Sequence, residues 1–596
     1  MNAELLKILP QFDVISFDIF DTLLLRSVLN PQDVWRMVEE REGAKGFFKA
    51  RQQADRATYR AATKRGGEHT IDEAYALMGS RWSTFNQKEF ECEARVLVGN
   101  PEMREIWQRA GALGKRRVIV SDMYLPGEFI KERLLSCGIS GWDGFYLSCE
   151  RQKRKATGEL FKVMMEEQNV SPSLILHIGD NAYSDQQVPE RFGISSICYP
   201  KVTDRFREEN PFVNGFLDEQ LSVSKSRLVG ALSVAWHSFV VEHRQWNYWH
   251  RFGFLMGGVL GYMYVRWIGE NAHRRGIKHL MFVGRDGYIW QKMIKAMFSD
   301  IKTDYFYAPR LTNVFVTGYR GRKRGVVADR CQAALDYLRC HAGIELSDEE
   351  SNRYIETGEF PSRFECKTTA LVQDIRENYK LYLHQFDIES ETTALVDGCS
   401  SEFSAQRLVE NVLGKEIFTF YLNAMSPLAK GAALYATRDK GVPFQGLSEF
   451  VFGAPNAPVR EIGVNGPCFG DAGNAWEKLK ISVSDDIAAG AVACARFLFQ
   501  NDVPVDKTLW MQFYVAFMSS QAVLDKEYFS FARNATDVRQ SKSIMVACTR
   551  GHHQRILLSL WGHVLLSVRY CYERNCYVRR LFVCGIPTPI CRRSVL

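Results

Sequence analysis

The chain is poor in most features that would place it outside ordinary globular proteins. Its fifteen cysteines include no CxxC pair, which removes the zinc ribbon and the thioredoxin motif. They are scattered through apolar segments such as Ser196-Ile197-Cys198-Tyr199, as reduced core cysteines are. The longest apolar runs, 252–265 and 556–568, fall short of the roughly 20 residues that span a bilayer. Residues 1–10 hold one lysine and aspartates follow, so no secretory leader is read there. The formal charge is only +7 over 596 residues, too small to argue for nucleic acid. A soluble, cytoplasmic chain of about two to four domains is expected, at roughly 100–200 residues each.

What is present begins with Val14-Ile15-Ser16-Phe17-Asp18-Ile19-Phe20-Asp21-Thr22-Leu23-Leu24. An apolar run that ends on a carboxylate reads as a buried parallel strand, whose carboxyl end is where open α/β sheets hold ligands. Asp18 stands at that edge, with Asp21 and Thr22 in the turn beyond. Taken alone, such an aspartate is a nucleophile, a metal ligand or a turn cap. Helix signals follow: Asn30-Pro31, the capping box Thr70-Ile71-Asp72-Glu73, the similar Asn86-Gln87-Lys88-Glu89, and Asn100-Pro101. Residues 27–99 therefore read as helical and inserted directly after the first strand. Beyond them strands are expected at 117–122, 144–148, 174–178 and 195–198, with helices at 126–135, 157–167 and 185–192. This alternation predicts a doubly wound parallel sheet with right-handed crossovers. Ser121, Lys155, Asp180 and Asp185 then fall at strand ends or in the adjacent loops.

Four segments carry a resemblance: Phe17-Asp18-Ile19-Phe20-Asp21-Thr22-Leu23, Val120-Ser121-Asp122, Lys155-Ala156-Thr157-Gly158-Glu159-Leu160-Phe161, and Ile178-Gly179-Asp180-Asn181-Ala182-Tyr183-Ser184-Asp185. In this order and strand context the chain resembles the haloacid dehalogenase superfamily over residues 10–200. The resemblance implies a catalytic core at 1–26 and 105–200 and a helical cap at 27–104. It implies catalytic roles for Asp18 (the nucleophile), Asp21 and Lys155, and a phosphate site at Thr22, Ser121, Asp122 and Lys155. It also implies a Mg²⁺ site at Asp18, Phe20, Asp180 and Asp185. Lys153 and Arg154, beside Lys155, read as a solvated loop.

One departure matters. Phosphatases of the family have a second aspartate two residues after the nucleophile, serving as general acid and base. Here that position is Phe20, and Asp21 comes one residue later. Loss of the acid costs about 10²–10⁴-fold in leaving-group protonation. Dehalogenase members also have an aromatic there, but they need no metal and lack the acidic pair. Asp180 and Asp185 are both present here, which favours phosphoryl chemistry on a phosphorylated metabolite. The alternatives are a bifunctional protein whose second half is a transferase, and a non-catalytic scaffold.

The rest of the chain reads as a charged linker at 201–227, a second α/β domain at 228–470, and a helical region at 471–596. The aromatics from Trp236 to Trp267 fit core helices at 228–275. Strands at 279–283 and 393–397 lead into the turns Gly284-Arg285-Asp286-Gly287 and Gly398-Cys399-Ser400-Ser401, with a further strand at 417–422. Turns of this kind before a helix hold anions or merely fit tight geometry. Arg285, Asp286, Asp397, Ser400 and Ser401 form a candidate second site, with Asp286 and Asp397 expected in one pocket. The basic tail reads as a frayed terminus or as a peripheral contact with anionic lipid. The whole layout resembles large predicted haloacid dehalogenase hydrolases of bacterial surface-polysaccharide biosynthesis clusters, which implies a sugar-phosphate context.

Overall fold

The structure, a computed structural model, describes residues 2–217, 222–318, 324–400, 402–424, 426–428, 430–436, 449–473, 475–504 and 506–519. The described residues divide into two compact units, those within 1–246 with 500–504, and those within 247–499 with 506–519. Ser401 and the basic tail lie outside the described residues.

In the first unit the strands are β1 (Val14–Phe17), β2 (Leu24–Arg26), β3 (Leu97–Gly99), β4 (Arg116–Ser121), β5 (Gly144–Leu147), β6 (Ile175–Gly179) and β7 (Ser195–Cys198). Five of them form a parallel sheet in the order β5-β4-β1-β6-β7. β1 is central and buried on both faces, which is why its sequence is a continuous apolar run rather than an alternating one. Chain order reverses between β1 and β6, so a crevice opens there at the carboxyl ends.

β2 and β3 pair antiparallel and form the stem of the insert. Four helices lie between them, Asp33–Glu42, Phe47–Lys64, Ile71–Met78 and Phe85–Val96. The Thr70 capping box forms as expected. The other two expected helix starts shift. The first helix begins at Asp33 rather than beside Pro31, and Asn86 lies inside its helix, where its side chain accepts from the Gln87 N–H.

The expected cap limit at 104 cuts helix Pro101–Ala112. That helix belongs to the layer covering the sheet. Met103, Ile106, Trp107 and Ala110 are buried, and the Trp107 ring lies 5.2 Å from Phe17. Asn100 caps it and also donates to the Thr22 carbonyl at 2.7 Å.

Residues 201–227 are not an exposed linker. They hold the helices Val202–Glu209 and Phe212–Leu217, with Val202, Phe206, Phe212 and Phe216 buried. Their high charge masks this helical spacing of apolar residues. The next helix, Val223–Glu242, packs on the first unit as well. Its Trp236 donates to Glu209 at 2.8 Å, and Gly230 lies against the Val28 backbone, where no side chain would fit. The expected domain start at 228 thus falls inside a helix of the first unit.

The second unit is built on β8 (His279–Val283), β9 (Lys302–Phe306), β10 (Thr393–Ser400), β11 (Phe418–Ala424) and β12 (Gly431–Ala436), parallel in the order β12-β11-β10-β8-β9. Gly398, Cys399 and Ser400, expected in a turn, instead continue β10. Cys399 is level with Asn423 and Ser400 with Ala424. Tyr262, Tyr264, Phe254 and Met263 are buried, as a core reading of the aromatic stretch requires. Helix Ala475–Gln500, expected in a separate C-terminal region, packs into this unit through buried Ile487, Ala491, Cys494 and Leu498. No helix of the described residues is long and apolar enough to cross a membrane.

Candidate active site

Asp18 is the first residue past β1, and its N–H donates to the Ile178 carbonyl of the neighbouring strand at 2.9 Å. This bond fixes the carboxylate over the crevice. Lys155 reaches in from its loop and places Nζ 2.6 Å from Asp18 Oδ1, while also pairing with Asp185. Asp180 follows β6, and carboxylate oxygens of Asp18, Asp180 and Asp185 all lie within 4.8 Å of one another. Asp18, Lys155 and Asp185 are nearly sealed from solvent. The Ser121 side chain lies beside Asp18 and favours its ionised form. Thr22 is fully buried, and its Oγ1 has no hydrogen-bond partner among the described residues.

The charges do not balance. Burial, reinforced by Asp185 and opposed by Lys155, raises the Asp18 carboxyl above its usual range. Burial and the charges of Asp18 and Asp21 push Asp180 up to about 7 against the pull of Lys201. For Asp185 burial acts upward as well, but Lys155 and His177 outweigh it and hold the carboxyl far down. Lys155 stays firmly protonated. Burial works against its charge, and Asp18, Asp185 and Asp122 more than offset that.

The supporting residues separate into those aimed at the crevice and those that hold the first group. Asp122, expected at the phosphate, is turned to the Lys155 loop instead. Its carboxylate accepts the Lys155 N–H at 2.6 Å and the Ala156 N–H at 3.1 Å. Asp185 accepts from Lys155, from His177 Nε2 at 3.1 Å and from the Asn181 N–H at 2.9 Å, so its oxygens are largely committed. Asp21 has a left-handed φ of 56° and pairs with Lys201 at 3.3 Å. The same ammonium lies 3.2 Å from Asp180. Phe20, expected among the metal positions, offers only a backbone carbonyl. Its ring lies under the Arg26 guanidinium at 4.1 Å, and Arg26 pairs with buried Glu93 at 2.8 Å.

Several of these groups escape a reading of the sequence. Lys201 sits in a stretch read as linker. Ser16 and His177 are matched polar residues in two otherwise apolar strands, and that pattern is the signal that would have found them. Arg154, expected in a solvated loop, is only 13 % exposed. It pairs with Glu68 at 3.4 Å and donates to Tyr59 at 2.9 Å, both on the insert. Lys153 is half exposed, with its ammonium near Glu159.

In the second unit Arg285, Asp286, Asp397 and Ser400 come to one sheet edge. Asp286 and Asp397 meet across Gly398, where a Cβ would lie 2.5 Å from Asp286 Oδ2. Ser400 is spent locally, its hydroxyl accepting from the Phe403 N–H at 2.8 Å.

No family model matches the chain, and no curated protein matches it. Solved structures do. The L-2-haloacid dehalogenase of Xanthobacter autotrophicus with chloropropionic acid covalently bound shares 13% identity over 33% of this chain and 83% of its own, at a TM-score of 0.25. A predicted phosphoglycolate phosphatase of Haemophilus somnus shares 18% over 32% and 85%, at 0.24. The HAD family enzyme bt-2542 of Bacteroides thetaiotaomicron, in complex with magnesium and inorganic phosphate, shares 16% over 32% and 95%, at 0.23. These neighbours are haloacid dehalogenase-superfamily hydrolases. Each of these likenesses covers about a third of this chain.

Proposed function

We propose that the first unit is a Mg²⁺-dependent phosphohydrolase of the haloacid dehalogenase type, acting through an aspartyl-phosphate on Asp18. Its substrate class in this reading is a phosphorylated metabolite, with a sugar phosphate first, and its location is the cytoplasm. The observation that carries the reading is one buried ammonium, Lys155, bridging Asp18 and Asp185 beside a third carboxylate, Asp180.

The residues fit a hard divalent cation. Oxygen donors suit Mg²⁺, which retains several waters in its shell. Burial first, and then the charges of Asp18 and Asp21, push the Asp180 carboxyl up to about 7, and a cation beside it would favour its ionised form. Asp18 and Asp180 would hold the ion, while Asp185, with its oxygens already engaged, positions Lys155. A bound cation would neutralise charge on the phosphoryl oxygens.

Asp18 attacks phosphorus, the bond to the leaving oxygen breaks, and that oxygen takes up a proton. Water then cleaves the aspartyl-phosphate, releasing phosphate and restoring Asp18. Lys155 offsets the charge that builds on the phosphoryl group. Ser121 orients Asp18, and the uncommitted Thr22 hydroxyl is available to phosphate. Phe20 supplies no proton, so the leaving group is either a good one or protonated by a neighbour such as Asp21. The aromatic ring at position 20 is also the single observation that favours a silent scaffold.

A phosphatase screen over a metabolite panel, comparing the intact chain with Asp18→Asn with and without Mg²⁺, tests the proposal. Activity that needs both Asp18 and the cation supports it. Failure to cleave any phosphate, together with no effect of Mg²⁺ on thermal stability, leaves the scaffold reading.

A further inference from the structure

The second sheet repeats the topological device of the first. From β8 the chain moves to β9 on one side, then returns to β10, β11 and β12 on the other. The crevice between the carboxyl ends of β8 and β10 is therefore a switch point, the place where open α/β sheets hold ligands. In the first sheet the equivalent crevice contains Asp18 and Asp180. In the second it contains Asp286 and Asp397.

Neither carboxylate is explained by structure alone. Asp286 stands at the start of helix Gly287–Met297 yet makes no capping hydrogen bond. Among the described residues Asp397 accepts only the N–H of its neighbour Gly398, at 2.8 Å. Burial and the charge of Asp397 push Asp286 up to about 6, against the pull of Lys480, Arg285 and Arg310. Beneath them Trp290, 1 % exposed, meets Gly398 with its ring, and its Nε1 has no partner among the described residues. Arg285 has a left-handed φ of 83°. Such strain in a residue other than glycine collects at functional sites.

The cations set the ligand class. Arg285 is paired with Glu477, and Lys480 is buried beside the same glutamate at 3.5 Å. Arg310 opens helix Arg310–Thr317, is exposed, and makes no ion pair among the described residues. A bare anion entering here meets two carboxylates. A bare divalent cation meets Arg310, with Arg285 and Lys480 behind it engaged by Glu477. Hydroxyls donate to carboxylates and phosphate accepts from guanidinium, so a ligand carrying both satisfies both halves.

We propose that the crevice between β8 and β10 is a second binding site, separate from the phosphohydrolase centre, for a polyhydroxylated ligand bearing phosphate. Asp286 and Asp397 receive its hydroxyl hydrogens, and Arg310 takes its phosphate. Sugar phosphates and nucleotide sugars share this chemistry.

The test is isothermal titration of the full chain carrying Asp18→Asn, in EDTA, with glucose 1-phosphate and UDP-glucose as the two probes. Glucose and inorganic phosphate serve as half-ligands. Saturable binding of at least one probe is expected, with each half-ligand weaker. Adding Arg310→Ala or Asp286→Asn should weaken it by about tenfold or more, while adding Asp180→Asn should not. Arg310 is exposed, so its loss leaves folding intact and keeps the test valid should Asp286→Asn be unstable. Binding of neither probe overturns the proposal. So does binding that Asp180→Asn abolishes and Arg310→Ala leaves untouched, because the ligand then sits in the first unit. Phosphate binding as tightly as the sugar phosphate removes the hydroxyl half.

Discussion

Ser16 and His177 stand at the same level of adjacent parallel strands, with Ser16 Oγ 2.8 Å from His177 Nδ1. The contact sets the tautomer. Nδ1 accepts from the serine, so Nε2 carries the proton and donates it to Asp185. Burial lowers the imidazole's proton affinity and keeps it neutral. A line of four side chains thus runs from the sheet interior, Ser16 to His177 to Asp185 to Lys155, and ends on Asp18. Ser16→Ala leaves Nδ1 buried without a donor, which costs about 1–3 kcal/mol. Urea unfolding should show that loss, with phosphatase activity reduced far less than in Asp18→Asn. Unchanged stability would mean that the imidazole has flipped or found another partner.

Asp122 holds two backbone N–H groups of the Lys155 loop, so its loss should act on geometry rather than on metal. Asp122→Ala is expected to lower kcat by about tenfold to 10²-fold, the scale of a 1 Å misplacement. Mg²⁺ affinity, read by titration, should stay near that of the parent. Equal losses of rate and metal affinity would show that Asp122 acts on the ion after all.

Phe20→Asp asks whether the site lacks only an acid. A gain of about 10²-fold on alkyl phosphates, or about 2.7 kcal/mol of barrier, is expected, with little change on aryl phosphates. Arg26, 4.1 Å above the present ring, provides a partner for the new carboxylate, so thermal melting should drop only modestly. No gain in a stable variant, with activity lost in Asp21→Asn, would assign the proton to Asp21.

His69 links the insert to its own charge network. Nδ1 lies 2.7 Å from Glu68 and Nε2 lies 3.3 Å from Asp55. Burial opposes its charge, but the two carboxylates prevail and push it up to about 9 from the usual 6.5. A folded value above the unfolded one stabilises fully below pH 6.5 and is lost as pH rises through about 9. The melting-temperature gap between the intact chain and His69→Gln should therefore be widest below pH 6.5 and close by about pH 9. A gap of constant size across that window would mean that His69 carries no proton to lose.

Strand ends were the legible part of this protein. Asp18, Asp180, Asp286 and Asp397 each terminate or follow an apolar run, and parallel pairing forces such ends to one edge. Lys155 was readable only through the family resemblance, in which a lysine stands at this distance before the helix that holds Phe161. What escaped depends on contacts distant in sequence. Ser16 and His177 are 161 residues apart, and the single polar residue in each apolar strand marks a partnership only once the two strands are paired. Lys201 lies among charges that resemble a solvated segment, although Val202 and Phe206 beside it are buried. The placement of helix Val223–Glu242 rests on Gly230 meeting Val28, a fit that no periodicity reports.

The stem formed by β2 and β3 has only three residue pairs, Leu24 with Gly99, Leu25 with Val98 and Arg26 with Leu97. A short two-stranded ribbon twists readily but does not stretch, because its length is fixed by the extended backbone. Leu24 is six residues from Asp18, so the insert is tethered at a set height above the nucleophile. The insert is held on its other side too, where the Ile71 N–H donates to the Tyr124 carbonyl at 3.1 Å and Arg154 pairs with Glu68. A change of one residue pair in the ribbon would therefore be felt at both attachments, beside Asp18 and at the Lys155 loop.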